Sequence, residues 1–108
     1  MNEPKNPRWH YYLGATYQNL GFHEQAIPYF KSCIKLTGWD REGDMAADRI
    51  GHSFAALGRW KEGTALYEEW LRAWPHTHKI HMYMAVMRET RDRLEGKQAR
   101  QDALPALH

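Results

Sequence analysis

Cysteine is almost absent from this chain: Cys33 stands alone among 108 residues, so no disulfide can close within it. That fits a reducing compartment. No window approaches the roughly 18 consecutive apolar residues that cross a bilayer. The polar opening, Met1 to Pro7, also lacks the apolar stretch that follows the basic start of a secretory leader. Charge of one sign is missing as well, since 15 Lys plus Arg face 13 Asp plus Glu, a balance of +2. A dedicated nucleic-acid binder carries a far denser basic surface. Even the charge-rich segment Arg88 to Arg100 interleaves five basic with three acidic residues, the pattern of a solvated helix face. These absences predict a soluble, cytoplasmic protein with neither a membrane nor a nucleic acid as partner.

The signatures of catalysis are missing too. There is no Gly-rich phosphate loop, no Cys-x-x-Cys pair and no Gly-x-Ser-x-Gly elbow. His23-Glu24 opens like a zinc-protease motif, but Ile27 stands where the second histidine is required. His76, His78 and His81 cluster, with the last two one helical turn apart, yet a third metal ligand would have to come from a turn, and the cluster reads as a polar helix start. The expectation is therefore no catalytic residue, no cofactor and no metal. Cys33 falls beside Phe30 and Ile34 on an apolar face and is expected to be buried packing.

What the sequence does have is enough apolar material for one domain, 43% of its residues, and an internal repeat. Sliding the chain by 37 residues lays Leu13-Gly14 on Ile50-Gly51, Tyr17 on Phe54, Leu20-Gly21 on Leu57-Gly58, Ala26 on Gly63, and Phe30 on Tyr67. The apolar spacing within each unit predicts helices. The first enters at Pro7, carries Tyr12 or Leu13, Thr16 or Tyr17, and Leu20 inward, and ends at Gly21. The second spans Glu24 to Leu36, with a slightly distorted start at Pro28. The third, Arg41 to Leu57, is capped by Asp40 or Asp44. The fourth runs from Trp60 to Trp74, where Pro75 forces a turn, and the fifth from Lys79 to Leu94, with Ile80, Met84 and Met87 on one side. Gly14 and Gly51, with Ala26 and Gly63, read as close-approach points between helices, and the aromatic residues fill the space beside them.

The pattern Leu-Gly-x-x-aromatic, then Leu-Gly, a small residue, and an aromatic four later resembles the tetratricopeptide repeat, whose usual period is about 34. Three residues are then inserted within Gly38 to Asp44. More specifically, Tyr11 to Gly21, Ala26-Ile27 and the turn Thr37-Gly38-Trp39-Asp40 look like the helical repeats that follow the catalytic domain in some family 2 glycosyltransferases of bacteria and phages. In that group a Gly-Trp-Asp or Gly-Trp-Glu turn precedes a lengthened helix. The resemblance covers Pro7 to Arg91 and concerns an appendage, because the chain has neither the length nor the Asp-x-Asp motif of a nucleotide-sugar domain. Gly63, where alanine is usual, and Asp44-Met45, where aromatics are common, depart from it. Trp39 is expected to plug the gap between the hairpins.

The expected organisation is a polar segment 1–6, a tetratricopeptide-like all-α superhelix over 7–94, and a frayed or disordered tail 95–108. The superhelix comprises repeats of about 7–40 and 44–77 and a capping helix of about 78–94, whose Ala85 takes the small-residue place of a third repeat. In such stacks the first helix of each hairpin lines the inner surface. That places Arg8, Tyr11, Tyr12, Ala15, Gln18 and Asn19 there from the first unit, and Met45, Asp48, Arg49, His52 and Ala55 from the second. Lys79, Met82, Tyr83 and Val86 continue it. Aromatic, Met and Arg side chains are enriched at interface cores. The expected function is a non-catalytic module binding a protein or peptide through this face, with Tyr11, Arg49 and Tyr83 nearest its centre. The alternatives are an appendage or companion of a glycosyltransferase, and a self-assembling subunit, a homo-oligomer.

Overall fold

The computed structural model describes residues 6–38, 41–77 and 79–103. Over these the chain is all-α, with helices α1 (Pro7–Asn19), α2 (His23–Thr37), α3 (Arg41–Ala56), α4 (Trp60–Ala73) and α5 (Lys79–Ala103). Asn6 caps α1, its side-chain oxygen accepting from the Arg8 N–H at 3.0 Å, and Pro7 occupies the first turn, where no N–H is needed. α2 passes through Pro28 without a break, the ring lying on the exposed side, where water can satisfy the carbonyl it leaves unbonded. Trp39, Asp40 and His78 lie outside the described residues.

Two helices end alike. After α1, Gly21 takes φ +86° and its N–H bonds the Gln18 carbonyl at 2.9 Å, while the Phe22 N–H reaches the Tyr17 carbonyl at 2.8 Å. After α3, Gly58 takes φ +71°, with Gly58 bonding Ala55 at 3.1 Å and Arg59 bonding Phe54 at 2.8 Å. Both are Schellman closures, and both carry the side-chain contact that accompanies them: Phe22 edge-on to Tyr17, and Arg59 over the Phe54 ring. The 37-residue repeat is thus reproduced bond for bond at its turns.

Packing follows the small-large pairing. A Cβ on Gly14 would sit 2.7 Å from the Phe30 ring, one on Gly51 2.5 Å from the Tyr67 hydroxyl, and one on Gly63 2.6 Å from the Met87 sulfur. α1 and α3 lie side by side, as do α3 and α5, forming one layer; α2 packs on α1 and α3, and α4 on α3 and α5, forming the other. Phe30, Phe54, Tyr67, Ile50 and Ile80 are wholly enclosed between the layers, each contributing about 1.5–3 kcal/mol by leaving water. Cys33 is buried with them, and burial, with Glu42 nearby, pushes its thiol up to about 11. α5 is held to α4 by Arg91, whose guanidinium lies 4.1 Å from the centre of the Trp60 ring.

Four expectations need correction. Leu20 is not inward but 64% exposed, whereas its repeat counterpart Leu57 packs against the core. The arc of α3 that carries Leu57 faces a preceding hairpin, and among the described residues the same arc of α1 faces none. Asp44 does not cap α3; it lies within the helix and bonds α5. α5 does not end at Leu94 but continues to Ala103. Ala85, read as a close-approach position, is exposed because no helix of the described residues packs on that side of α5.

Candidate binding face

The layer α1–α3–α5 gathers the side chains expected to bind a partner, but in two distinct sets. One set is committed to holding the layer together. Arg49 is half-buried in α3, and its Nε donates to the Tyr11 hydroxyl at 2.8 Å. Its terminal nitrogen donates to Gln18 Oε1 at 3.0 Å and reaches Asn19 Oδ1 at 3.5 Å. Gln18 Nε2 returns the contact, donating to the Arg49 carbonyl at 2.6 Å and to Ser53 Oγ at 2.8 Å, and Ser53 in turn pairs with His23 Nδ1 at 3.0 Å. The guanidinium therefore staples α3 to α1, with its five donors partly spent on neutral oxygens.

The second joint uses an acid. The Tyr83 hydroxyl donates to Asp44 Oδ1 at 2.8 Å, and Lys79 Nζ lies 3.2 Å from Oδ2 of the same carboxylate, tying α5 to α3. Burial pushes the Tyr83 phenol well above its ordinary 10.0, the hydrogen bond and charge of Asp44 adding to it, so the ring stays a neutral donor. Tyr11 and Tyr83 are 7% and 6% exposed. Neither they nor Arg49 project freely from the layer, each being engaged in a joint between helices. Their rings are large enough to fill the joints between neighbouring helices, and burial there is worth more than exposure.

The second set is open. Tyr12 on α1, Met45 on α3 and Met82 on α5 are 58%, 38% and 54% exposed, one large apolar side chain from each helix of the layer. The same layer carries Arg8, bonded to Glu42 at 3.4 Å, the exposed Asn19, Asp48 and Lys79, and the half-buried His52. Between α1 and α3 the surface dips into a cleft of about 260 Å³ lined by Arg8, Tyr11, Tyr12, Arg41, Glu42 and Met45. A larger groove of about 420 Å³ lies on the other layer between α2 and α4, with Ile34, Leu66, Trp70 and Trp74 in it and Lys31 and Lys35 beside them. Sequence reasoning missed Asp44, Glu42 and Ser53 as organisers of the inner layer. Their partners lie 30 to 39 residues away in the chain, a separation that no local pattern encodes.

No protein-family model matches the chain, and neither curated proteins nor solved structures show a detectable likeness to it.

Proposed function

We propose that the chain is a non-catalytic, tetratricopeptide-like interaction module that holds a protein segment against the α1–α3–α5 layer. The observation that carries this reading is the row of Tyr12, Met45 and Met82, each exposed and each on a successive helix of one layer. An extended or helical segment crossing the layer meets all three in turn, and Met and aromatic side chains are the residues that dominate such contacts. Several polar groups of the layer, Tyr11, Gln18, Arg49, Asp44 and Tyr83, are engaged in the joints between its helices, which supports a recognition surface built on a rigid layer. The matched turns and glycine contacts of the two hairpins support the tetratricopeptide-like reading.

The test is a binding partner isolated from the native host and then measured with purified components. Tyr12→Ala, Met45→Ala and Met82→Ala should each weaken its binding by about 1–2 kcal/mol with an unchanged helical spectrum. Lys31→Ala and Glu68→Ala, on the opposite layer, should leave it unaltered. Binding that survives the triple substitution and is lost with the outer changes would place the partner on the α2–α4 side instead.

A further inference from the structure

A guanidinium is planar and presents its donors in a fork that matches a carboxylate, so a cleft with two of them on its walls has a preferred ligand chemistry. Arg8 stands in the first turn of α1 and Arg41 at the start of α3, and both line the cleft of about 260 Å³ between these helices. α1 contains no Asp or Glu. The acid that α3 brings to the cleft is recessed: the Glu42 side chain is 18% exposed against 65% for Arg8. Glu42 lies close enough to the core to raise the Cys33 thiol, and it meets Arg8 at Nε, at 3.4 Å. Among the described residues the two terminal nitrogens of Arg8 carry no hydrogen bond. The next joint repeats this order, with Asp44 23% exposed beside Lys79 at 64%. At this edge of the layer the cations are outermost.

Two hydroxyls add donors. Tyr11, which also lines the cleft, accepts from Arg49 Nε, and among the described residues nothing accepts its own proton. A largely buried phenol in that position favours a ligand that brings an acceptor. The exposed Tyr12 likewise makes no hydrogen bond through its hydroxyl among the described residues. Its ring and Met45 supply the apolar wall.

We infer that the protein segment held on the α1–α3–α5 layer is acidic at its α1 end, an Asp or Glu side chain entering the cleft between Arg8 and Arg41 while apolar residues beside it cover Tyr12 and Met45 and run on to Met82. This deepens the reading of the layer as a recognition surface and rests on it. Charge selects the occupant. Two guanidinium groups against one recessed carboxylate leave the described walls of the cleft with one net positive charge, and a segment without an acid would strip water from these groups and return nothing. Asp48 sets the polarity. It is exposed one helical turn beyond Asp44, and its charge adds to the upward push on the Tyr83 phenol of α5, so it lies toward the α5 side of the layer. Acids along the whole segment would meet it as a like charge, which confines the acid to the α1 end. A nucleic acid requires a continuous basic track, and Glu42, Asp44 and Asp48 interrupt one here.

A library of random peptides, displayed between two flanking domains so that no terminus is free, tests the inference by selection on the immobilised full chain. Peptides whose capture requires Tyr12, Met45 and Met82 should be enriched in an Asp or Glu next to aliphatic or aromatic residues. Arg8→Gln with Arg41→Gln should weaken a synthetic copy of a selected peptide about tenfold, with the helical spectrum and thermal midpoint retained. Changing the peptide's acid to its amide should have the same effect on the parent chain and none on the doubly substituted one, because both changes remove one contact. The advantage of the acidic peptide should shrink as salt is raised. Peptides that need the apolar row but no acid, or whose acid is indifferent to Arg8 and Arg41, would overturn the inference and leave the recognition surface standing. The absence of any peptide dependent on Tyr12, Met45 and Met82 would overturn both. A single-stranded oligonucleotide bound through Arg8 and Arg41 in place of any peptide would also overturn the inference.

Discussion

At the scale of single residues, two helix glycines, Gly14 and Gly96, sit in opposite surroundings. Gly14→Ala places a carbon against the enclosed Phe30 ring, which has no room to withdraw, and should cost about 1–3 kcal/mol in urea unfolding. Gly96→Ala on α5 meets open space and removes the helix penalty of glycine, so a gain of about 0.5–1 kcal/mol is expected from the same measurement. Cys33 sets an alkaline limit. The native state keeps the thiol protonated up to about 11, while the unfolded chain releases the proton from 9.0. Between these values the unfolded state binds fewer protons, so stability falls as pH rises, by about 1.4 kcal/mol per pH unit. Tyr67 and Tyr83, both pushed upward first of all by burial, join the decline above 10.0. Below 9.0 these groups impose no slope. Cys33→Ala should move the onset of the loss from near 9.0 to near 10.0 in unfolding curves recorded as a function of pH.

At the scale of elements, the closures of α1 and α3 and the docking of α5 make separate demands. Gly21 and Gly58 hold φ +86° and +71° with empty space where a Cβ would be, so alanine there suffers backbone strain alone. About 1–2 kcal/mol is expected for each, read from thermal unfolding, and the two losses should be equal if the closures are equivalent. α5 answers to a different bond. Tyr83→Phe removes the donor to Asp44 and should cost about 0.5–1.5 kcal/mol. Amide exchange should then quicken across α5 before it does in α1 and α2, because Asp44 and Tyr83 join α3 to α5 and touch neither helix of the first hairpin.

At the scale of the whole molecule, a body of 54 × 34 × 17 Å is two helices thick, and its principal-axis lengths include the reach of α5. Every described side chain from 92 to 101 is exposed. A chain ending after Gln98 should therefore keep its thermal midpoint, the change staying within about 0.5 kcal/mol as for other surface alterations. The thinness also means that the enclosed core is a single row of side chains between two layers. Losing any one of Phe30, Phe54 or Tyr67 to alanine would open the row, which is why the small-large pairs recur at the repeat interval.

The sequence alone determined the all-α class and, to within one residue, each helix start, together with the glycines that close α1 and α3. Those features are local: a cap, a positive φ and an apolar period are each set within a few residues. It also determined that Ile80, Met84 and Met87 point inward, because one helix turn orders them whatever the neighbour. Only the tertiary structure decided which polar side chains of the inner layer remain available. Tyr11 and Tyr83 share a helical face with Tyr12 and Met82, and what removes them from the surface is a partner on another helix, Arg49 for one and Asp44 for the other. The same holds for Leu20 and Leu57, identical in pattern, the first exposed and the second partly buried against the core. A repeat fixes what a position offers, and the presence or absence of the next layer fixes whether that offer is met.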